Sequence, residues 1–151
     1  MSAYTTNEAL RDSMERAVLV LEPDHAERFH VMSMFLSSSW LLVTARTVAE
    51  AAEALRERSF LVVMTDLEHC EEIRRLTDEL KVEAKIVVTV SFSQEAGAGS
   101  TLPAWPYSIL RRPFKVSEVF QVLGFAWAAW RHRAMLVEMG MGAAALGQIA
   151  A

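Results

Sequence analysis

The chain of 151 residues is 52% hydrophobic and 23% charged, which gives one globular domain with a real core and excludes intrinsic disorder. Its 15 Lys+Arg against 19 Asp+Glu leave a net charge of −4, so no global field draws it to nucleic acid or to an anionic membrane. The single cysteine, Cys70, excludes an internal disulfide, and the polar N-terminus MSAYTTNEALRDSMER lacks the apolar segment of a signal peptide. A cytoplasmic protein is expected. The uncharged stretch Val119–Trp130 of the last helix is closed by Arg131, His132 and Arg133 and falls short of the roughly 20 residues that cross a bilayer.

Residues 1–15 offer only Leu10 and Met14 as an apolar stripe, so they read as a tail or a short helix. Residues 17–21 (AVLVL) form a continuous apolar run of strand length, as expected for a strand covered on both faces. Asp24 and Glu27 have the spacing of a capping box and open a helix whose apolar members are Phe29, Met32, Met34, Phe35 and Leu36, ending at Ser37-Ser38-Ser39. A second strand, 40–44 (WLLVT), precedes a second capping box, Thr47 with Glu50, and a helix with the stripe Val48, Ala51, Ala52, Leu55. The third strand, 60–65 (FLVVMT), ends at Asp66. The next helix, roughly 69–81, turns Ile73, Leu76 and Leu80 to the sheet.

Lys85–Val90 (KIVVTV) is a fourth strand and 107–110 (YSIL) a fifth. Between them Ser91–Pro106 carries Gly97, Gly99, Pro103 and Pro106, which leaves a loop with remnants of a helix. The last helix starts near Val116 and is long. Strands alternating with helices in this way imply an α/β fold: a flavodoxin-like, doubly wound, five-stranded parallel sheet with the helix between strands four and five degraded. The expected division is a segment 1–15, a domain 16–133 and an Ala/Gly/Met-rich extension 134–151.

In an open parallel sheet, ligands bind beyond the carboxyl ends of the strands. There the chain places Glu22-Pro23-Asp24, Asp66, Thr89 with Ser91, and Arg111-Arg112-Pro113. The segments VLVLEPD at 18–24, FLVVMTDL at 60–67, IVVTVS at 86–91 and ILRRPF at 109–114 resemble the receiver domains of bacterial two-component response regulators. The resemblance covers roughly 16–130. It implies that Asp66 is the phosphoacceptor, that Thr89 and Arg112 contact the phosphoryl group, and that Glu22 and Asp66 hold Mg²⁺, with Arg112 in the place of a lysine before a cis proline.

The departures are equally specific. Pro23 stands where the family has a second metal-binding acid and offers no side-chain oxygen, which weakens the magnesium site. Arg112 replaces a compact ammonium with a planar fork and is expected to pair with Asp66, holding it neutralised. The loop after Asp66 is shortened, running Leu67-Glu68-His69-Cys70 straight into a helix, and Ile109 replaces the family's switch aromatic. Asp24 is accounted for by helix capping alone.

His25, His30, His69 and His132 show no zinc-site spacing and are assigned to the surface, and no GxSxG, P-loop or GxGxxG pattern occurs. A small flavodoxin-like enzyme using Asp66, Glu22 and Thr89 is therefore disfavoured, and no enzymatic activity is expected. On the last helix, Val116, Val119, Phe120, Leu123, Ala126, Trp127 and Trp130 follow the spacing of a sheet-facing stripe, while Val122, Phe125, Ala129 and Leu136 form a second one that a single sheet cannot cover. Val122, Phe125, Trp127, Trp130 and Leu136 thus mark an interaction surface for a homodimer or another protein. The expected function is a stand-alone divergent receiver in phosphorelay signalling, acting through a protein partner: a histidine kinase, a phosphotransfer protein or a downstream regulator. The alternative is a working single-domain regulator phosphorylated at Asp66.

Overall fold

The structure, a computed structural model, describes residues 16–91 and 103–138. The expectations for the N-terminal segment, for most of the Ser91–Pro106 passage and for the tail from 139 onward lie outside the described residues. Five strands, β1 (Ala17–Leu21), β2 (Leu41–Ala45), β3 (Val62–Asp66), β4 (Lys85–Val90) and β5 (Ser108–Arg111), form one sheet in the order β2-β1-β3-β4-β5. Every pairing is parallel. The helices are α1 (His25–Met34), α2 (Val48–Glu57), α3 (Cys70–Glu79) and α4 (Val116–Glu138). This is the flavodoxin-like order expected of the sequence, with the switch in strand order beside β1.

The sheet has helices on both faces because each strand run is apolar on both sides. In β1 all five residues are buried. Val18 and Val20 join Val62, Met64, Val87 and Leu110 in a core closed by Val31 and Phe35 from the α1 side and by Val119, Leu123 and Ala126 of α4. Ala17, Leu19 and Leu21 face the opposite way, into a core with Ala51, Leu55 and Ile73 of α2 and α3. Each buried Val, Leu or Ile contributes about 1.5–3 kcal/mol of transfer free energy, so β1 anchors both layers at once.

The capping residues act as the spacing predicts. Asp24 Oδ2 accepts the Glu27 N–H at 2.9 Å, and Thr47 Oγ1 accepts the Glu50 N–H at 3.1 Å. The phase of α1 differs from expectation. Val31 and Phe35 are buried, whereas Phe29, Met32 and Leu36, named among the apolar members of this helix, are 68%, 47% and 84% exposed. The cause is Arg28, whose Nη1 donates to the carbonyls of Glu22 at 2.9 Å and Pro23 at 2.8 Å. Two satisfied carbonyls at the end of β1 fix that side of the helix inward, and Val31 and Phe35 follow Arg28 at helical spacing.

Helix α4 runs 23 residues without a break across position 133. No helix among the described residues is long and apolar enough to cross a membrane.

Candidate functional site

The carboxyl ends of β1, β3, β4 and β5 bring Glu22, Asp66, Thr89 and Arg112 to one rim, as the strand assignment implies. Asp66 and Thr89 are register partners on adjacent strands, and the Arg112–Pro113 peptide bond is cis. The wiring between these side chains differs from expectation at its centre. Arg112 pairs with Glu22, not with Asp66: its Nη2 forms an ion pair with Glu22 Oε1 and donates to Thr89 Oγ1 at 3.1 Å. Thr89 Oγ1 in turn donates to the Thr65 carbonyl at 3.4 Å.

Burial explains that choice of partner. Glu22 is 4% exposed, and a carboxylate so enclosed needs a permanent counter-charge. Its second oxygen accepts the Asp24 N–H at 3.1 Å. Asp24 spends its own carboxylate on the cap of α1, and Pro23 has no side-chain oxygen, so the β1 end offers a single acid with both oxygens engaged.

Asp66 is held by a residue that the sequence reading assigned to the surface. His69 Nδ1 lies 2.8 Å from Asp66 Oδ1 and 3.0 Å from Oδ2, and the His69 backbone N–H donates to Oδ1 at 3.1 Å. An ionised carboxylate only accepts, so Nδ1 carries the proton. Burial by itself lowers the His69 pKa, but the hydrogen bond and charge of Asp66, backed by Glu68 and Glu72, outweigh it and hold the imidazole above its ordinary value. The pair follows from the shortened loop. Only Leu67 and Glu68 separate Asp66 from His69, which is the N-cap residue of α3.

Cys70 is not part of the chemistry. It is buried, its Sγ donates to the Leu67 carbonyl at 3.1 Å, and desolvation followed by the charge of Glu71 raises its pKa.

A divalent cation does not fit the donor set of this rim. Mg²⁺ takes oxygen ligands in near-octahedral array. Here one Glu22 oxygen is bound by Arg112 and the other by a backbone N–H, both Asp66 oxygens face His69, and the remaining position is Pro23. Asp66, Glu68 and His69 do bring ligand atoms within 4.8 Å of one another, yet two of the three are already hydrogen-bonded to each other.

The surface expected on α4 is partly covered. Phe125 is 67% exposed, and Val122 is half-buried beside it in a groove of about 270 Å³ bounded by Val87, Ser108 and Ala129. Trp127 and Trp130 are half-buried, stacked at 5.5 Å, with the Arg16 guanidinium 4.7 Å above the Trp127 ring. Leu136, expected on the open stripe, is 8% exposed and thus buried.

No protein-family model matches the sequence, and no curated protein matches it. Solved structures do match. The receiver domain of a Pseudomonas aeruginosa sensor histidine kinase, described with a magnesium ion coordinated in its active-site cleft, is similar with a TM-score of 0.61 at 16% identity, over 76% of this chain and 98% of that one. A receiver domain protein from Methanospirillum hungatei matches at 0.61 and 15% over 77% and 97%. The receiver domain of a Saccharomyces cerevisiae response regulator, co-crystallised with its histidine phosphotransfer protein, matches at 0.58 and 14% over 72% and 86%. Likeness of that kind rests on architecture, and with the sheet order it identifies the fold: the chain has the fold of a response-regulator receiver domain.

Proposed function

We propose that this chain is a receiver-like module of two-component signalling that works by binding another protein, with the phosphoryl chemistry of its rim weakened or absent. The observation that carries the reading is that both rim carboxylates are already partnered from within, Asp66 by the His69 imidazole and Glu22 by the Arg112 guanidinium. Attack by Asp66 on a phosphoryl group breaks its bonds to His69 and needs a cation to screen the incoming negative charge. The guanidinium of Arg112 is already committed to Glu22, and that of Arg28 to the carbonyls of Glu22 and Pro23. A nucleophilic carboxylate without a free counter-ion is a poor phosphoacceptor.

The partner is a protein of the same kind of relay: a histidine kinase, a phosphotransfer protein or a downstream regulator. The yeast receiver was solved with a phosphotransfer protein and another similar receiver domain as a dimer, and this chain exposes Phe29, Met32, Leu36 and Phe125 at its surface. Incubation with a small acyl phosphate and Mg²⁺, followed by intact-mass measurement, tests the reading. The expected result is no stoichiometric adduct; a labile phosphoryl adduct that disappears in Asp66→Asn overturns it.

A further inference from the structure

Magnesium was found in the cleft of the similar Pseudomonas receiver. In this chain the electrostatic need at the rim is met from within. Glu22 is almost completely enclosed, and one nitrogen of Arg112 bridges its Oε1 to the Thr89 hydroxyl, drawing the ends of β1 and β4 to the residue that follows β5. A bound metal makes the same kind of link between separate strands. We infer that the Arg112 guanidinium stands in for the divalent cation as a built-in counter-ion, so that this rim is indifferent to magnesium.

The partners at the rim fit this assignment. Arg112 is paired with Glu22, and the His69 imidazole and backbone N–H hold Asp66. A second carboxylate beside Glu22 would leave one guanidinium facing two acids, and the neutral Pro23 at that position matches one internal cation to one buried acid. A divalent ion entering here would have to displace the guanidinium from Glu22 besides losing part of its own water shell. The inference rests on the functional reading above and deepens it, naming what holds the rim in one state.

Calorimetric titration of MgCl₂ into the native chain, Pro23→Asp, and the double variant Pro23→Asp/Arg112→Met tests it. Pro23 is exposed, so the single substitution leaves the packing intact. The native chain and Pro23→Asp are expected to give no saturable heat, because Arg112 still occupies Glu22. The double variant, with the internal cation removed and an acid supplied, is expected to bind one ion at least about tenfold more tightly than Pro23→Asp. Should the double variant be unfolded in chelator, the same comparison is read as magnesium-induced gain of helical circular dichroism. Binding by the native chain or by Pro23→Asp as tight as by the double variant overturns the inference, as does a double variant that neither binds nor folds with magnesium. A phosphoryl adduct on Asp66 in the native chain defeats the functional reading, whereas magnesium binding by the native chain defeats this one, so the two failures are told apart.

Discussion

Replacing the partners of the Glu22–Arg112 pair singly and together measures how much the rim depends on it. The side chains are 5% and 25% exposed respectively, so the two single variants are not equivalent. Arg112→Met leaves Glu22 enclosed with only the Asp24 N–H, and stranding a buried charge costs about 3 kcal/mol. Glu22→Gln leaves Arg112 partly open to water and still able to donate to Thr89 and to an amide oxygen, a loss of about 1–2 kcal/mol. The double variant strands no charge and should lose only about 2 kcal/mol, which leaves a coupling of roughly 2–3 kcal/mol between the partners. Urea unfolding at pH 7 reads all four proteins, with the m-value unchanged if only stability has moved. For a chain of this size Arg112→Met should lower the thermal midpoint by roughly 6–12 °C. A coupling below about 0.5 kcal/mol, with Arg112→Met no costlier than Glu22→Gln, would show a solvated surface pair and refute the argument from burial.

Other expectations follow from single contacts. Because the folded pKa of His69 is raised above its unfolded value near 6.5, the Asp66–His69 pair contributes fully below that pH and is lost as pH rises through the folded pKa. The stability difference between the native chain and His69→Gln should therefore shrink as pH increases from acid to alkaline, and a difference independent of pH removes the ion-pair assignment. Lys81 follows α3 at φ 55°, its N–H bonded to the Asp78 carbonyl at 3.2 Å. Lys81→Gly should raise stability by about 0.5–1 kcal/mol in chemical denaturation, by relief of left-handed strain. Leu123, 1% exposed in the core under α4, should cost about 3 kcal/mol as Ala, whereas Phe125→Ser should change stability by less than about 0.5 kcal/mol. If Phe125 belongs to a protein contact, Phe125→Ser should also weaken capture by the partner, or shift a concentration-dependent sedimentation profile, while Leu123→Ala at matched folded fraction should not.

The architecture was legible because each strand is an apolar run that stands alone in the sequence. AVLVL and KIVVTV coincide with β1 and β4, and β2, β3 and β5 begin one or two residues after the runs 40–44, 60–65 and 107–110 and end one residue beyond them. Local devices were legible too, since Asp24 and Thr47 act within a single turn. The side-chain partners at the rim were not. Whether Arg112 reaches Glu22 or Asp66 depends on which acid is the more enclosed, a property of the packed sheet rather than of either segment. Which of the apolar members of α1 are buried was not legible either, since Arg28 is tied to two carbonyls at the end of β1, a contact made only in the folded sheet. His69 did leave a signal. Asp66 and His69 have the three-residue spacing across a helix start that made Asp24 with Glu27 readable, applied to a histidine instead of a glutamate.

The two helical layers are unlike in one respect that bears on partner binding. Among the described residues, the large apolar side chains left exposed are Phe29, Met32, Leu36, Val116, Phe125 and Met135. All lie on α1, just beyond its C-terminal end, or on α4; none lies on α2 or α3. These two helices are tied to each other and to the rim. Phe35 meets Phe120 at 5.0 Å, Arg28 binds the carbonyls of Glu22 and Pro23, and Arg112 lies over the Phe114 ring at the approach to α4. The end of β1 thus anchors α1 through Arg28, and Arg112 of the Glu22 pair lies at the lead into α4. On the proposal that a protein partner docks on α1 and α4, Arg112→Met is expected to weaken partner capture as well as stability, and capture by Arg112→Met equal to that of the native chain at matched folded fraction would separate the rim from the docking surface.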